Sequence, residues 1–397
     1  MFRRPTLAVA LLAFIAACSD TPSTPQPRAI APTAAPRFDK APPGLAIPGQ
    51  YIVVLRDDVD DPEGKSREKN NRQGGAMSHT YRNVIKGFSA RLSDAAVKDL
   101  LADPDVAYIE EDQQVTLSTT QSPPPSWGLD RIDERSLPLS NSYTYNATAA
   151  QQSVVRAYII DTGILTSHPD FGGRASVGFD AMGGNGIDCN GHGTHVAGTV
   201  GGATYGIAKS VKLVAVRVLN CSGSGTNSGV IAGMDWVATN HISPAVANMS
   251  LGGGSSSAVN TSANNLASSG VFLAVAAGNS NANACNSSPS GAANATVVAA
   301  SAINDSRASF SNFGSCVDLY APGVSIKSDW LNNGTNTISG TSMASPHVTG
   351  VGALYKAVNG NASFSTIRSW LVNNATNNAI SGNPAGTPNK LLFKSTF

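Results

Sequence analysis

The sequence predicts an α/β fold: one large domain on a parallel sheet with helices on both faces, preceded by a small α+β domain of ferredoxin-like type. Apolar runs of strand length at 154–160, 213–218, 245–249, 271–276 and 296–300 show no alternation, as expected for strands covered on both faces. Residues 48–118 have a different character, with acidic and basic residues concentrated among short strand and helix signals. Between the N-terminus and that region, 19–47 is rich in Pro, Ala and Thr.

The elements follow in order. Arg3 and Arg4 precede a short apolar stretch at 6–17, too short to span a bilayer, which is the pattern of an export signal. Ile15-Ala16-Ala17-Cys18 resembles a bacterial lipobox and makes Cys18 a candidate for lipidation. Residues 19–47, with Pro22, Pro25, Pro27, Pro32, Pro36, Pro42 and Pro43, cannot build a core and read as a linker. In 48–118, strands are expected at 50–55, around Gly87 within 81–92, and at 106–109, with a helix at 94–101 capped by Ser93. A first helix is poorly signalled, because 60–75 is charged and contains glycine. The remainder, 119–397, suits a single α/β domain. A net charge of +1 with 13% charged residues gives no footprint for nucleic acid.

Three strings carry chemistry. Asp161 closes the run 154–160 before Thr162-Gly163, His192 stands between Gly191 and Gly193, and Ser342 opens a helical segment at 342–358. A serine hydroxyl becomes a nucleophile when an imidazole accepts its proton, and the imidazole works best when a buried carboxylate fixes its tautomer. Taken singly, Asp161 reads as a turn former and Ser342 as a helix cap. Asp161 at the carboxyl end of a parallel strand lies where sites in open α/β sheets form, and Ser342 faces the positive end of a helix dipole. Pro346 is expected in the first turn of that helix, where its missing N–H costs little. Cys189, His192 and His195 form C-x-x-H-x-x-H, which offers zinc-type ligands, but no further ligand motif supports a metal. His195, His79, His168, His241 and His347 read as structural. Of five cysteines, Cys18 stands apart, and an even set of Cys189, Cys221, Cys285 and Cys316 remains, which suits an oxidising compartment.

With the order Asp, His, Ser and these flanks, residues 119–397 resemble the subtilases, most closely their proteinase K-like and aqualysin-like branch. The resemblance implies a subtilisin-like serine endopeptidase. A fourth string, 271–279, ends in Asn279, and the family match assigns its amide to the oxyanion beside the backbone N–H of Ser342. It implies disulfides Cys189–Cys221 and Cys285–Cys316. It implies an inhibitor-like propeptide at 48–118 that also aids folding, and processing between Leu117 and Gln121. Protein and peptide substrates would lie as a strand along Gly223-Ser224-Gly225 and Ser250-Leu251-Gly252-Gly253. An uncharged S1 wall of Ser250 to Gly253 with Ala276, Ala277 and Gly278 would favour apolar or aromatic P1 residues. Structural calcium is implied at Asp318 with the carbonyls of Ala293 and Ala295, and at Asp130, Asp133, Glu134, Ser140 and Ser142. The loop 181–186 lacks the carboxylates of a further site, and no catalytic metal is implied. The expected product is a secreted monomer; a catalytically silent, surface-attached binding protein is the alternative.

Overall fold

The computed structural model describes residues 36–41, 46–116, 120–121, 126–144 and 147–395. The export segment with Cys18, the linker to residue 35 and positions 117–119 of the expected junction lie outside the described residues.

A nine-stranded sheet organises the large domain, in the order Thr376–Asn377, Lys390–Leu391, Leu319–Pro322, Thr296–Ser301, Phe272–Ala276, Ala245–Met249, Arg156–Asp161, Lys212–Arg217 and Ala175–Asp180. Every adjacent pair is parallel except the first. Strands Ala245–Met249, Phe272–Ala276 and Thr296–Ser301 are buried at every residue, which is why their sequences run apolar without alternation. Helices His192–Gly201 and Thr341–Asn359 pack on one face, and Asn227–Asn240 and Ser257–Ser268 on the other. Parallel connectivity brings the N-termini of all four to the edge where the strands end.

The small domain runs βαββαβ: Ala46–Leu55, Pro62–Arg72, Ala76–Tyr81, Gly87–Arg91, Asp94–Leu100 and Val106–Thr116. Its strand order, fourth-first-third-second, is ferredoxin-like. Ser93 caps its second helix through Ala96 N at 3.2 Å, as its sequence position suggests. The first helix, PEGKSREKNNR, has no apolar stripe to reveal it. It is held by charge instead: buried Lys69 binds Asp103 at 2.6 Å and Asp105 at 2.9 Å, and Asp61 caps Gly64 N at 2.9 Å. The expected linker is shorter than its composition suggests. Arg37–Asp39 adds a parallel strand beside Val106–Thr116, because Phe38 packs on Tyr51 and the Arg37 guanidinium lies 4.1 Å from the Tyr108 ring centroid.

Period-two alternation gives this small sheet two apolar faces. Tyr51, Val53 and Leu55 join the small domain's own core, whereas Ile52 and Val54, with Tyr81, Val84, Ile85 and Tyr108, enter the core of the large domain. Carboxylates complete the interface. Asp112 Oδ1 accepts from Ser228 N (2.8 Å), Glu110 accepts from Ala258 N (2.8 Å) and the Ser256 hydroxyl, and Asp235 Oδ1 accepts from the amides of Arg82, Asn83 and Val84 at 2.8–3.2 Å. Burial pushes Glu110 up to about 7 and Asp112 up to about 6, with these hydrogen bonds opposing the shift.

One buried acid serves no site. Asp329 is fully buried, and a Cβ on Gly202 would fall 2.4 Å from Asp170 Oδ2 and 2.8 Å from Asp329 Oδ2, so the two carboxyls face each other there. His168 Nδ1 lies 3.7 Å away and Arg174 is the nearby cation. Burial, then the Asp170 charge and hydrogen bond, push Asp329 up to about 8. A folded value above the unfolded one gives stability that is complete below about pH 4 and lost as pH rises to about 8. Asp329→Asn should therefore gain on the parent between pH 5 and pH 9 by at least about 2 kcal/mol, read from urea unfolding at both pH values; parallel pH profiles would refute this.

Candidate active site

Asp161 and His192 are in contact at the carboxyl-terminal edge of the large sheet, and helix Thr341–Asn359, which carries Ser342, packs against helix His192–Gly201. Asp161 ends its strand fully buried, and its Oδ1 lies 2.7 Å from His192 Nδ1 while accepting from Thr162 N at 2.8 Å. That contact places the Nδ1 proton toward the carboxylate and leaves Nε2 for substrate chemistry. His192 is the first residue of its helix. Gly191 before it has φ +104°, and a Cβ there would meet the Trp330 ring at 2.4 Å, so no larger residue fits.

Asp188 holds the two strings together, a role not anticipated from the sequence. Its Oδ1 accepts from Thr162 Oγ1 (2.9 Å), Asn190 N (2.9 Å) and Gly191 N (3.0 Å), and its Oδ2 from Thr194 N (2.9 Å) and Thr194 Oγ1 (2.6 Å). Thr162 Oγ1 accepts in turn from Gly193 N at 2.9 Å. The available signal was an aspartate just ahead of a helix start, an N-cap type residue.

Ser342 is the second residue of helix Thr341–Asn359, and Pro346 is therefore the sixth, not a first-turn residue as the sequence suggested. Proline there removes the donor that Ser342 O would receive from residue 346. Ser250 Oγ supplies a replacement at 2.7 Å. Buried Asn248 fixes that hydroxyl, donating to Ser250 Oγ (2.8 Å) and accepting from Ser345 Oγ (2.8 Å) and Thr349 Oγ1 (3.0 Å). The Ser342 hydroxyl donates to Ser250 O at 3.1 Å, and His192 Nε2 has no hydrogen-bond partner among the described residues.

Asn279 Oδ1 accepts from Thr341 N and Thr341 Oγ1, both at 2.8 Å, and Thr341 Oγ1 accepts from Gly278 N at 3.0 Å. The oxygen being committed, the amide NH2 faces away from Thr341. Ser250 adjoins Ser342, Gly278 adjoins Thr341, and Gly253–Gly254 pairs with Ser287–Ser288 behind Leu251 and Gly252. Ala276 ends the strand Phe272–Ala276 and Ala277 follows it toward Gly278. Gly223 has φ +76° in the turn leading to strand Ser224–Thr226, on which the small domain's residues 114–116 lie antiparallel.

The zinc-type string is used otherwise. Cys189 is bonded to Cys221, and Cys285 to Cys316. His195 Nε2 meets Ile326 O at 3.0 Å, and burial lowers its pKa to about 3; buried His347 is likewise lowered to about 4, with Nδ1 at 2.8 Å from Met343 O. His168 and His241 also meet backbone carbonyls, and His79 lies in strand Ala76–Tyr81.

Of the residues that the resemblance implies for calcium, Asp130, Glu134, Ser140 and Ser142 converge. Ser140 Oγ lies 3.2 Å from Asp130 Oδ1 and 2.7 Å from Ser142 Oγ, and Ser140 N donates to Glu134 Oε1 at 3.0 Å. Asp133 turns away, to Lys394 Nζ at 2.7 Å and Thr144. At Asp318 the carboxylate and the Ala293 carbonyl are both bound by Arg368. In the loop 181–186, the amides of Met182, Gly184 and Gly186 bind Asp180 at 2.7–3.1 Å.

Comparison with known proteins places the chain in a family. Residues 155–390 match the subtilase family and 50–118 match peptidase inhibitor I9. An extracellular serine proteinase of Thermus sp. (strain Rt41A) is 47% identical over 88% of this chain and 90% of its own. Alkaline serine exoprotease A of Vibrio alginolyticus is 47% identical over 90% of this chain and 69% of its own. The crystal structure of a cold adapted subtilisin-like serine proteinase shares 52% identity over 68% of this chain and 98% of its own, at a TM-score of 0.66.

Thr341→Val removes the hydroxyl that orients Asn279 while keeping the side chain's shape. Turnover of a peptide ester or amide should fall about tenfold with KM little changed, the pattern of a lost transition-state interaction; an unchanged kcat would exclude this positioning role.

Proposed function

The chain belongs to the subtilase family, and from that premise we propose that this secreted serine endopeptidase is made as a precursor that cuts itself between Leu117 and Gln121. One observation carries the reading. Residues 114–116 lie along the edge Ser224–Thr226, and Thr120–Gln121 pairs with Ile338 and Ser339, whose strand leads to Ser342. Both described flanks of the proposed junction thus pair with strands of the large domain, one of them the strand that leads to Ser342.

A rotation about the Ser342 Cα–Cβ bond exchanges Ser250 O for His192 Nε2. His192 takes the hydroxyl proton as Oγ attacks the carbonyl carbon, and Asp161 stabilises the imidazolium. Asn279 and the backbone N–H of Ser342 hold the oxyanion. The proton passes to the leaving amine, and water then releases the acyl group through the same steps. Main-chain pairing along 223–225 and 250–253 gives broad sequence tolerance, and the uncharged wall at 250–253 and 276–278 favours apolar or aromatic P1 residues.

The released small domain remains an inhibitor, because its carboxylates cap two helices and its apolar face covers the large domain. The same contacts make it a folding aid. The relatives are named as extracellular or serine proteases, and a catalytically silent binding protein is not supported by them. We take the mature enzyme to be a monomer acting on protein and peptide substrates, without nucleic acid. An anchor through Cys18 would belong to the precursor alone. Structural calcium is general in this family. Asp130, Glu134, Ser140 and Ser142 are hard oxygen donors that fit it, and an ion there would tie residues 130–142 together.

Ser342→Ala should accumulate as folded, uncut precursor on gels and by mass; normal processing of this variant would assign maturation to another protease. Chelation should accelerate heat inactivation of the mature enzyme, through loss of a ligand bound only by the native state, and Asp130→Asn should remove that sensitivity. Identical inactivation rates with chelator and with calcium would refute the calcium assignment.

A further inference from the structure

We propose that Arg368 is a built-in cation that takes the place of calcium at Asp318, so that this part of the fold is stable without metal. Two of the three groups that would hold the ion, the Asp318 carboxylate and the Ala293 carbonyl, converge on one guanidinium. Arg368 Nε lies 2.9 Å and Nη2 2.8 Å from Asp318 Oδ1, and Nη1 lies 2.8 Å from Ala293 O. Val297 N donates to the other carboxylate oxygen at 2.8 Å. Both Asp318 oxygens are therefore engaged.

The arrangement is built rather than incidental. Asp318 leads into the buried strand Leu319–Pro322 and its own side chain is 11% exposed. Burial raises its carboxyl and Arg368 opposes that shift, which is the work a bound cation would otherwise do. Arg368 stands in helix Phe364–Asn374, one turn beyond Phe364, whose ring centroid is 5.9 Å from its Cζ. A planar fork suits a carboxylate and an adjacent carbonyl together.

Calcium does not fit beside it. The ion needs roughly 6–8 oxygens at about 2.3–2.6 Å, whereas Asp318 Oδ1 and Ala293 O already receive charged N–H donors and Asp318 Oδ2 the Val297 amide. A divalent ion on those oxygens would sit against a fixed positive charge only a few ångströms away. The contrast with the other cluster is chemical: Asp130 and Glu134 accept from the neutral groups of Ser140 and Asn141.

The test uses mature enzyme blocked covalently at Ser342, which suppresses autolysis. Arg368→Gln should melt at least about 5 °C below the parent in chelator. Millimolar-order calcium should restore most of that loss and add one bound ion per chain by metal analysis. In the parent background, Asp318→Asn should leave the calcium count unchanged. The proposal fails if Arg368→Gln matches the parent in chelator, if calcium neither rescues nor adds to it, or if Asp318→Asn removes a calcium ion from the otherwise unaltered enzyme.

Discussion

The leading amides of a helix have no partners within it, and a parallel sheet gathers several such ends at one edge. Much of this structure is arranged around that constraint. Asp188 serves the helix that begins at His192, Asn279 serves the helix that carries Ser342, Asp112 serves Asn227–Asn240 and Glu110 serves Ser257–Ser268. Two acceptors come from the large domain and two from the small one. The first two sit at the helices that carry His192 and Ser342, so satisfying backbone amides also orients the His192 loop and the Asn279 side chain. The last two sit on the noncatalytic helices, where the capping groups can leave together with the small domain.

This division explains why the small domain is both tightly engaged and separable. Its sheet has an apolar second face that cannot be covered by its own helices, so association with the large domain is driven by burial. Polar contacts at Asp235, Ser228 and Ala258 set the register of that face. The terminal strand then follows onto Ser224–Thr226, extending the contact along a strand edge of the large domain.

The catalytic domain was legible in the sequence because its signals were local and redundant. A buried strand ends at Asp161, small residues flank His192, and Ser342 opens a helix; each position is encoded by its immediate neighbours. What escaped was non-local or lacked hydrophobic contrast. Helix Pro62–Arg72 carries no apolar face, since Lys69 and Asp103 supply the contact that leucines usually make. Phe38 reads as part of a proline-rich linker until Tyr51 is beside it. The consequence of Pro346 depends on Ser250, far away in sequence, and the Asp318–Arg368 pair depends on a helix meeting a strand from elsewhere in the chain. Family resemblance gave Asp318 a metal; only the fold shows the guanidinium already on its oxygen.

Around the nucleophile, almost every polar group is committed. Asp161 Oδ1 holds His192, Thr341 holds the Asn279 oxygen, and the Ser342 carbonyl, denied its helical donor by Pro346, is held by Ser250. The exceptions among the described residues are Asp161 Oδ2 and His192 Nε2, which have no partner, while the Ser342 hydroxyl rests on the Ser250 carbonyl. Moving that hydroxyl oxygen is a matter of one side-chain torsion, while Thr341 keeps its hold on the Asn279 oxygen and Ser250 on the Ser342 carbonyl. Preorganisation and reactivity are thus compatible here: the rigid part contains the groups that must be oriented beforehand, and the mobile part is a side chain with one rotor.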